Sequence, residues 1–191
     1  MIKGKKIVCG VTGGIAAYKA VDLVRLLCKR RAEVHVVMTE NARQFVAPLT
    51  FQTVSGQAVC TDMFAPHHNE ISHIALADRA HLLLIAPATA NIIAKMAGGL
   101  ADDLLSTVVL ATAAPVLIAP AMNVRMWDHP ATRQNVETLR ARGFHFVGPA
   151  SGELACGHEG QGRMAEPEEI LEEALSLITP MDLRGERILV T

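Results

Sequence analysis

The chain lacks any block of like charge, any long apolar run and any paired cysteine motif. Its 18 Lys and Arg residues intermingle with 19 Asp and Glu, for a formal net charge of −1. That excludes the footprint of a nucleic-acid binder or of a polybasic segment that sits on membranes. The longest apolar stretch, Val108 to Met122, is broken by Pro115 and Pro120 and is too short to cross a bilayer. The N-terminus has a basic start but reaches glycines within a few residues, unlike a secretory signal. Cys9, Cys28, Cys60 and Cys156 lie far apart with no C-x-x-C spacing. Reduced thiols in the cytoplasm are expected, rather than a disulfide framework or a metal site.

What is present is a 50% hydrophobic chain of 191 residues, enough for one domain with a substantial core. Its mean hydropathy of +0.27 is high for such a chain and points to apolar surface buried between subunits. Lys5 to Val11, Glu33 to Thr39, His81 to Ala86 and Pro115 to Ala119 read as buried parallel strands, with a last short strand in FHFVG. Helical segments alternate with them. The first, after Val11, carries a polar stripe of Asp22, Arg25 and Lys29. ENARQFVAP reads as helical, and LTFQTVSG as a short helix ending at Gly56. Ile74 to Ala80, Thr89 to Gly98, Asp103 to Thr112 and Pro167 to Ile178 follow the same pattern. Asp128 is placed to cap a helix with Pro130 in its first turn. Residues 61–72 and the glycine-rich 149–164 read as loops. The alternation predicts an α/β fold, a three-layer doubly wound parallel sheet of Rossmann-like type.

Two strand-to-helix loops are candidate anion sites. Gly10 to Ile15 spells G-x-x-G-G rather than the G-x-G-x-x-G of a dinucleotide fold, and the second strand ends in Thr39 rather than an acid. A hydroxyl there suits a phosphate, whereas an acid would suit a ribose diol. The pattern favours a mononucleotide such as FMN over NAD, against a plain tight turn as the alternative. Pro87-Ala88-Thr89-Ala90-Asn91 is the second loop. Downstream, PAMNVRMWDHP places Asn123 just beyond a strand and the single Trp, Trp127, four residues later. Ligands collect beyond the carboxyl ends of such strands. Taken alone, Asn123 is equally a helix cap, His73 a surface residue and Cys156 a thiol among glycines. Cys9 and Cys28 read as small buried hydrophobes.

GVTGGIAAYK, APATAN, AGGLADDLLSTV, PAMNVRMW and ACGHEGQGRM together resemble the flavin-dependent cysteine decarboxylases in order and spacing. The resemblance covers Lys5 to Ile178. It is nearest to the branch acting on 4′-phospho-N-pantothenoylcysteine in coenzyme A biosynthesis, in bacteria the N-terminal half of a bifunctional protein. The chemistry so implied starts with oxidation of the cysteine thiol to a thioaldehyde. The carboxylate then lies β to C=S, so CO2 can leave with its electrons delocalised onto sulfur, and re-reduction gives 4′-phosphopantetheine.

By the same resemblance His73 is the base, Asn123 holds the substrate carboxylate and Cys156 donates the final proton. FMN would contact Gly13, Gly14, Ile15, Thr39, Thr89, Ala90, Asn91 and Ala121. Arg163 and Met164 belong to a glycine-rich flap that binds substrate. Ile92 stands where the family often has a hydroxyl residue. The resemblance further implies a homo-oligomer of trimers, assembled into a dodecamer, with sites between subunits. Residues 1–180 would form the decarboxylase domain. Residues 181–191, with ILVT, would be a linker and the first strand of an absent ligase domain. A peptidyl-cysteine decarboxylase, a flavin prenyltransferase and a non-catalytic flavin-binding regulator are the alternatives. The prenyltransferase lacks the Asn–Cys pair, and a regulator is expected to have lost one of His73, Asn123 and Cys156.

Overall fold

The computed structural model describes residues 2–64, 73–153 and 159–179. Five apolar segments become strands: β1 (Lys6–Val11), β2 (Glu33–Met38), β3 (Leu82–Ala88), β4 (Val116–Pro120) and β5 (His145–Phe146). They form one sheet in the order β2-β1-β3-β4-β5, with every neighbouring pair parallel. The connections carry helices α1 (Ala17–Lys29), α2 (Pro48–Ser55), α3 (His73–Arg79), α4 (Ala90–Gly98) and α5 (Leu104–Ala111). After β4 come a short α6 (Val124–Asp128) and α7 (Pro130–Ala141), and after β5 a two-stranded hairpin precedes α8 (Pro167–Ile178).

The twofold period of the strands splits the core into two layers. Leu82, Leu84 and Ala86 of β3 face one cluster, together with Cys9 and Val11 of β1 and the buried sides of α1 and α8. Leu83, Ile85 and Ala88 face the other, with Val8, Ile118 and residues of α3, α4, α5 and α7. All seven residues of β3 are buried, as a central strand covered on both faces requires. The sheet grows from β1 outward to β2 on one side and to β3 on the other. Right-handed crossovers therefore send α1 and α4 to opposite faces, leaving a crevice between their N-termini.

Local sequence explains the helix ends. Gly56 takes the left-handed conformation at the C-terminus of α2. Asp103 and Ser106 form a reciprocal capping box at α5. Lys95 reaches Asp102 at 2.7 Å and Asp103 at 2.8 Å, fastening α4 to the start of α5. Burial pushes the Asp103 carboxyl up, but hydrogen bonds from Lys95 and Ser106 outweigh it and hold the group below its ordinary value.

Three details differ from the sequence expectation. Residues 149–164 are not simply a loop: β6 (Ala150–Glu153) and β7 (Glu159–Arg163) pair antiparallel. Glycine at every second position of β7 hides a strand from any propensity argument, because it was recruited for close approach rather than for β-branching. His129, not Asp128, caps α7, its Nδ1 accepting from the Ala131 amide at 3.2 Å. Asp128 instead closes α6 and pairs with Arg133 at 2.7 Å. The segment ENARQFVAP forms only a 3-10 turn, Glu40–Gln44, before Pro48 opens α2.

Cys9 is fully buried and its thiol is pushed up to about 12, by burial first and then by Cys28. Cys60 is buried and raised for the same first reason. Since the thiolate is the reactive form, native protein at pH 8 should leave Cys9 and Cys60 unlabelled by a thiol reagent until denaturant is added. Stoichiometric labelling of either in the folded state, located by peptide mass spectrometry, would contradict this packing.

Candidate active site

The polypeptide turns away from the sheet after β1, β3 and β4, and an open cavity of about 440 Å³ lies beyond those three carboxyl ends. The Thr12 hydroxyl ties the first two exits together. It donates to the Pro87 carbonyl at 2.7 Å and accepts from the Thr89 amide at 3.2 Å. Thr12 is one of three buried polar residues among those described, and its hydroxyl is satisfied in both roles. Pro87 can sit in a central strand because the β3–β4 register shifts between Ile85 and Ala88.

Gly13 and Gly14 play different parts. A Cβ on Gly13 would run into Asn41 of the 3-10 turn after β2, so this glycine serves packing. Gly14 has only the Thr89 methyl, at 3.8 Å, near the same position, and it lines the cavity. No side chain caps α1. Among the described residues, the first amide after the glycines to find a backbone carbonyl is that of Ala17, on Gly14. A helix N-terminus with unsatisfied amides beside an open glycine accepts an anion. By contrast α4, the neighbouring helix, is capped by Thr89, which accepts from Ile92.

Apolar side chains cover much of the rest of the wall. Ile15, Tyr18 and Met126 line it while remaining 62%, 57% and 48% exposed. From the exit of β4, Ala121 and Asn123 enter the wall, and from the end of β7 come Arg163 and Met164. Asn123 caps α6 through its side-chain oxygen, which accepts from the Arg125 amide at 2.9 Å. The cap reading of this residue and its place at the cavity hold together.

Lys19 also faces the cavity, and it meets Glu166 twice, at 2.8 and 2.9 Å. Arg163 donates to the same carboxylate at 2.6 Å. Glu166 thus draws α1, β7 and the start of α8 together. Hydrogen bonds from Lys19 hold its carboxyl below the ordinary 4.5, against a smaller opposing effect of burial, with the charges of Lys19 and Arg163 adding to it. This triad escaped the sequence reading. Its one signal was a lysine on the otherwise apolar side of α1, which needs a partner.

Of the residues expected at the site, Gly13, Gly14, Ile15, Thr89, Ala121, Asn123, Arg163 and Met164 share this wall. Thr39 lies outside it and caps the 3-10 turn, accepting from Ala42 at 3.3 Å. Ala90 and Asn91 form the first turn of α4, also outside the wall. His73 begins α3, which packs in the layer opposite α1, and does not line the cavity of a single chain. Cys156 lies outside the described residues.

Thr12→Val keeps the shape but strands a buried carbonyl and amide, so it should destabilise the fold by about 1–3 kcal/mol in urea unfolding, with Thr12→Ser close to wild type. A neutral Thr12→Val would remove the bridge from the account. Glu166 contributes above its unfolded pKa and loses that contribution as pH falls through its lower folded value. The stability difference between wild type and Glu166→Ala should therefore persist at about pH 5 and close only below 4.5. A difference that does not change with pH across this range would show an unperturbed carboxyl.

The Flavoprotein family model matches residues 1–179. The chain is 50% identical over 191 residues to the coenzyme A biosynthesis bifunctional protein CoaBC of Vibrio cholerae, covering all of this chain and 48% of that one. It is 47% identical over 195 residues to CoaBC of Bacillus subtilis, again across 48% of the relative. The chain thus spans about half the length of these curated relatives. Among solved structures it is similar to a mutant PPC decarboxylase complexed with pantothenoylaminoethenethiol, at TM-score 0.79 and 31% identity, covering 90% of this chain and 97% of that one. It is also similar to the FMN binding protein AtHal3, at TM-score 0.77 and 31% identity, covering 90% and 95%. With the family model matching nearly the whole chain, residues 1–179, the chain belongs to the Flavoprotein family.

Proposed function

We propose that this chain is an FMN-dependent decarboxylase of 4′-phospho-N-pantothenoylcysteine, forming 4′-phosphopantetheine in coenzyme A biosynthesis. The observation that carries the reading is one cavity wall holding an uncapped helix start, a stripe of apolar side chains and Asn123. That donor set fits FMN: the α1 amides beside Gly14 suit its phosphate, and Ile15 and Met126 suit an apolar ring. The likeness to a PPC decarboxylase along nearly its whole length supports the substrate. When bound, the flavin supplies reversible two-electron chemistry at the substrate thiol.

The chain's own residues bind, orient and handle protons. The Asn123 oxygen is engaged on α6, and its NH2 is the end that donates to a carboxylate. Lys19 and Arg163 give the wall its cationic side, with Glu166 as their resident counter-ion. An imidazole nitrogen can accept a proton and suits a base that takes the thiol proton, the role the resemblance gives to His73. Because His73 lies in the layer opposite Lys19, it would act on the cavity of a neighbouring protomer. The exposed Ile15, Tyr18 and Met126 at the cavity support such a neighbour, in trimers built into a dodecamer. Cys156, as a protonated thiol, would return a proton in the last step. A ligase domain would follow residue 180 in the full protein.

Incubation with 4′-phospho-N-pantothenoylcysteine should yield, by mass spectrometry, a product lighter by one CO2, and denaturation should release FMN. A peptide ending in cysteine serves as the competing substrate. Turnover of the peptide alone would replace this reading with that of a peptidyl-cysteine decarboxylase, and a protein that cannot be loaded with flavin would overturn both. Asn123→Asp sets a like charge against the carboxylate and should lower kcat/KM by about a hundredfold or more. Cys156→Ser should accumulate an oxidised, decarboxylated product.

A further inference from the structure

Strand β7 is fastened along α6 at three points. At the start of the helix, the Met122 amide donates to the Gly162 carbonyl at 2.9 Å. At its first residue, Gly160 lies so close to Val124 that a Cβ would stand 2.8 Å from its Cγ2, and just before it a Cβ on Gly162 would collide with the Met122 carbonyl oxygen. At the far end, the Trp127 indole Nε1 donates to the Gln161 side-chain oxygen at 3.3 Å. The indole cannot turn to seek another acceptor. It is 3% exposed, and the Arg133 guanidinium covers its face at 4.7 Å from the ring centre. A buried indole N–H requires a partner, and Gln161 provides it.

This attachment has a consequence for the cavity. The helix clamped by β7 is capped by Asn123, and the strand clamped to α6 ends at Arg163, with Met164 next in sequence. Asn123, Arg163 and Met164 all stand in the cavity wall, while Trp127 and Gln161 do not. A helix of five residues is too short to be held by its own hydrogen bonds. Its contact with β7 therefore sets the spacing between the amide and the guanidinium.

We propose that Trp127 and Gln161 form a latch and act as positioning residues, fixing Asn123 and Arg163 at the separation the two anionic ends of the substrate require. The inference rests on the decarboxylase reading and deepens it. The latch acts on binding rather than on the reacting atoms, so its loss weakens substrate affinity and spares the chemical step.

The test uses the assembled, FMN-loaded protein with Gln161→Leu, which keeps the bulk and removes the acceptor, and Gln161→Glu, which restores an acceptor. Because Trp127 is the only Trp, the indole N–H marker band in ultraviolet resonance Raman reports this bond alone. It should shift to the non-bonded position in Gln161→Leu and return in Gln161→Glu. KM for 4′-phospho-N-pantothenoylcysteine should rise about three- to tenfold in Gln161→Leu, the worth of one neutral hydrogen bond, with kcat within about twofold of wild type. In Gln161→Glu, KM should recover. An unshifted indole band in Gln161→Leu overturns the latch whatever the activity. A shifted band with unchanged KM overturns its positioning role. If wild type leaves the substrate untouched, the decarboxylase reading falls, and the band still decides whether the latch exists.

Discussion

The cavity exists because two loops that diverge from the sheet are kept in register by one buried hydroxyl. Thr12 donates to the exit of β3 and accepts from the amide that follows it. The parallel β1–β3 pairing ends at Gly10 and Ile85, so beyond that point no ladder bond holds the chains. A side chain offering one donor and one acceptor continues the pairing across the switch point, where valine could fill the space and satisfy neither group. Every wall of the cavity is measured from that junction: α1 leaves one side of it and α4 the other.

Charge is distributed with similar economy. Lys19 and Arg163 come from elements far apart in the chain and meet through a single carboxylate, Glu166. Two cations with one resident anion leave the wall net positive, which suits the phosphate and carboxylate of the proposed substrate. Glu166 also begins α8 in a capping box with Glu169. The residue that balances charge at the site is thus the one that starts the helix packed on α1.

The parallel strands were legible because each is a short run of apolar residues bounded by glycine, proline or charge. Helix starts were legible where a hydroxyl or carboxylate stands before an apolar turn, as at Thr89 and Asp103. The β6–β7 hairpin was not, because Gly160 and Gly162 are present for contact with Val124 and Met122 and carry no strand propensity. Nor was the cap of α7: Asp128 and His129 are both competent acceptors, and the turn closing α6 decides which one faces the amide. Gly13 lines the cavity wall, and only the fold shows that Asn41, distant in sequence, also leaves it no room for a side chain.

Sequence by itself determined the α/β alternation, the two glycine-bearing exits and the residue types gathered near Asn123, since these depend on local spacing and on burial of successive side chains. Tertiary structure alone decided that Thr12 bridges two loops, that Glu166 neutralises Lys19, and that Trp127 meets Gln161. Each of those pairs is separated by 34 residues or more. A partner that distant is chosen by how the layers pack, and no periodicity within either segment encodes it. The same reason sets His73 apart: its position in the opposite layer follows from the handedness of the crossovers, which a linear string of residues does not display.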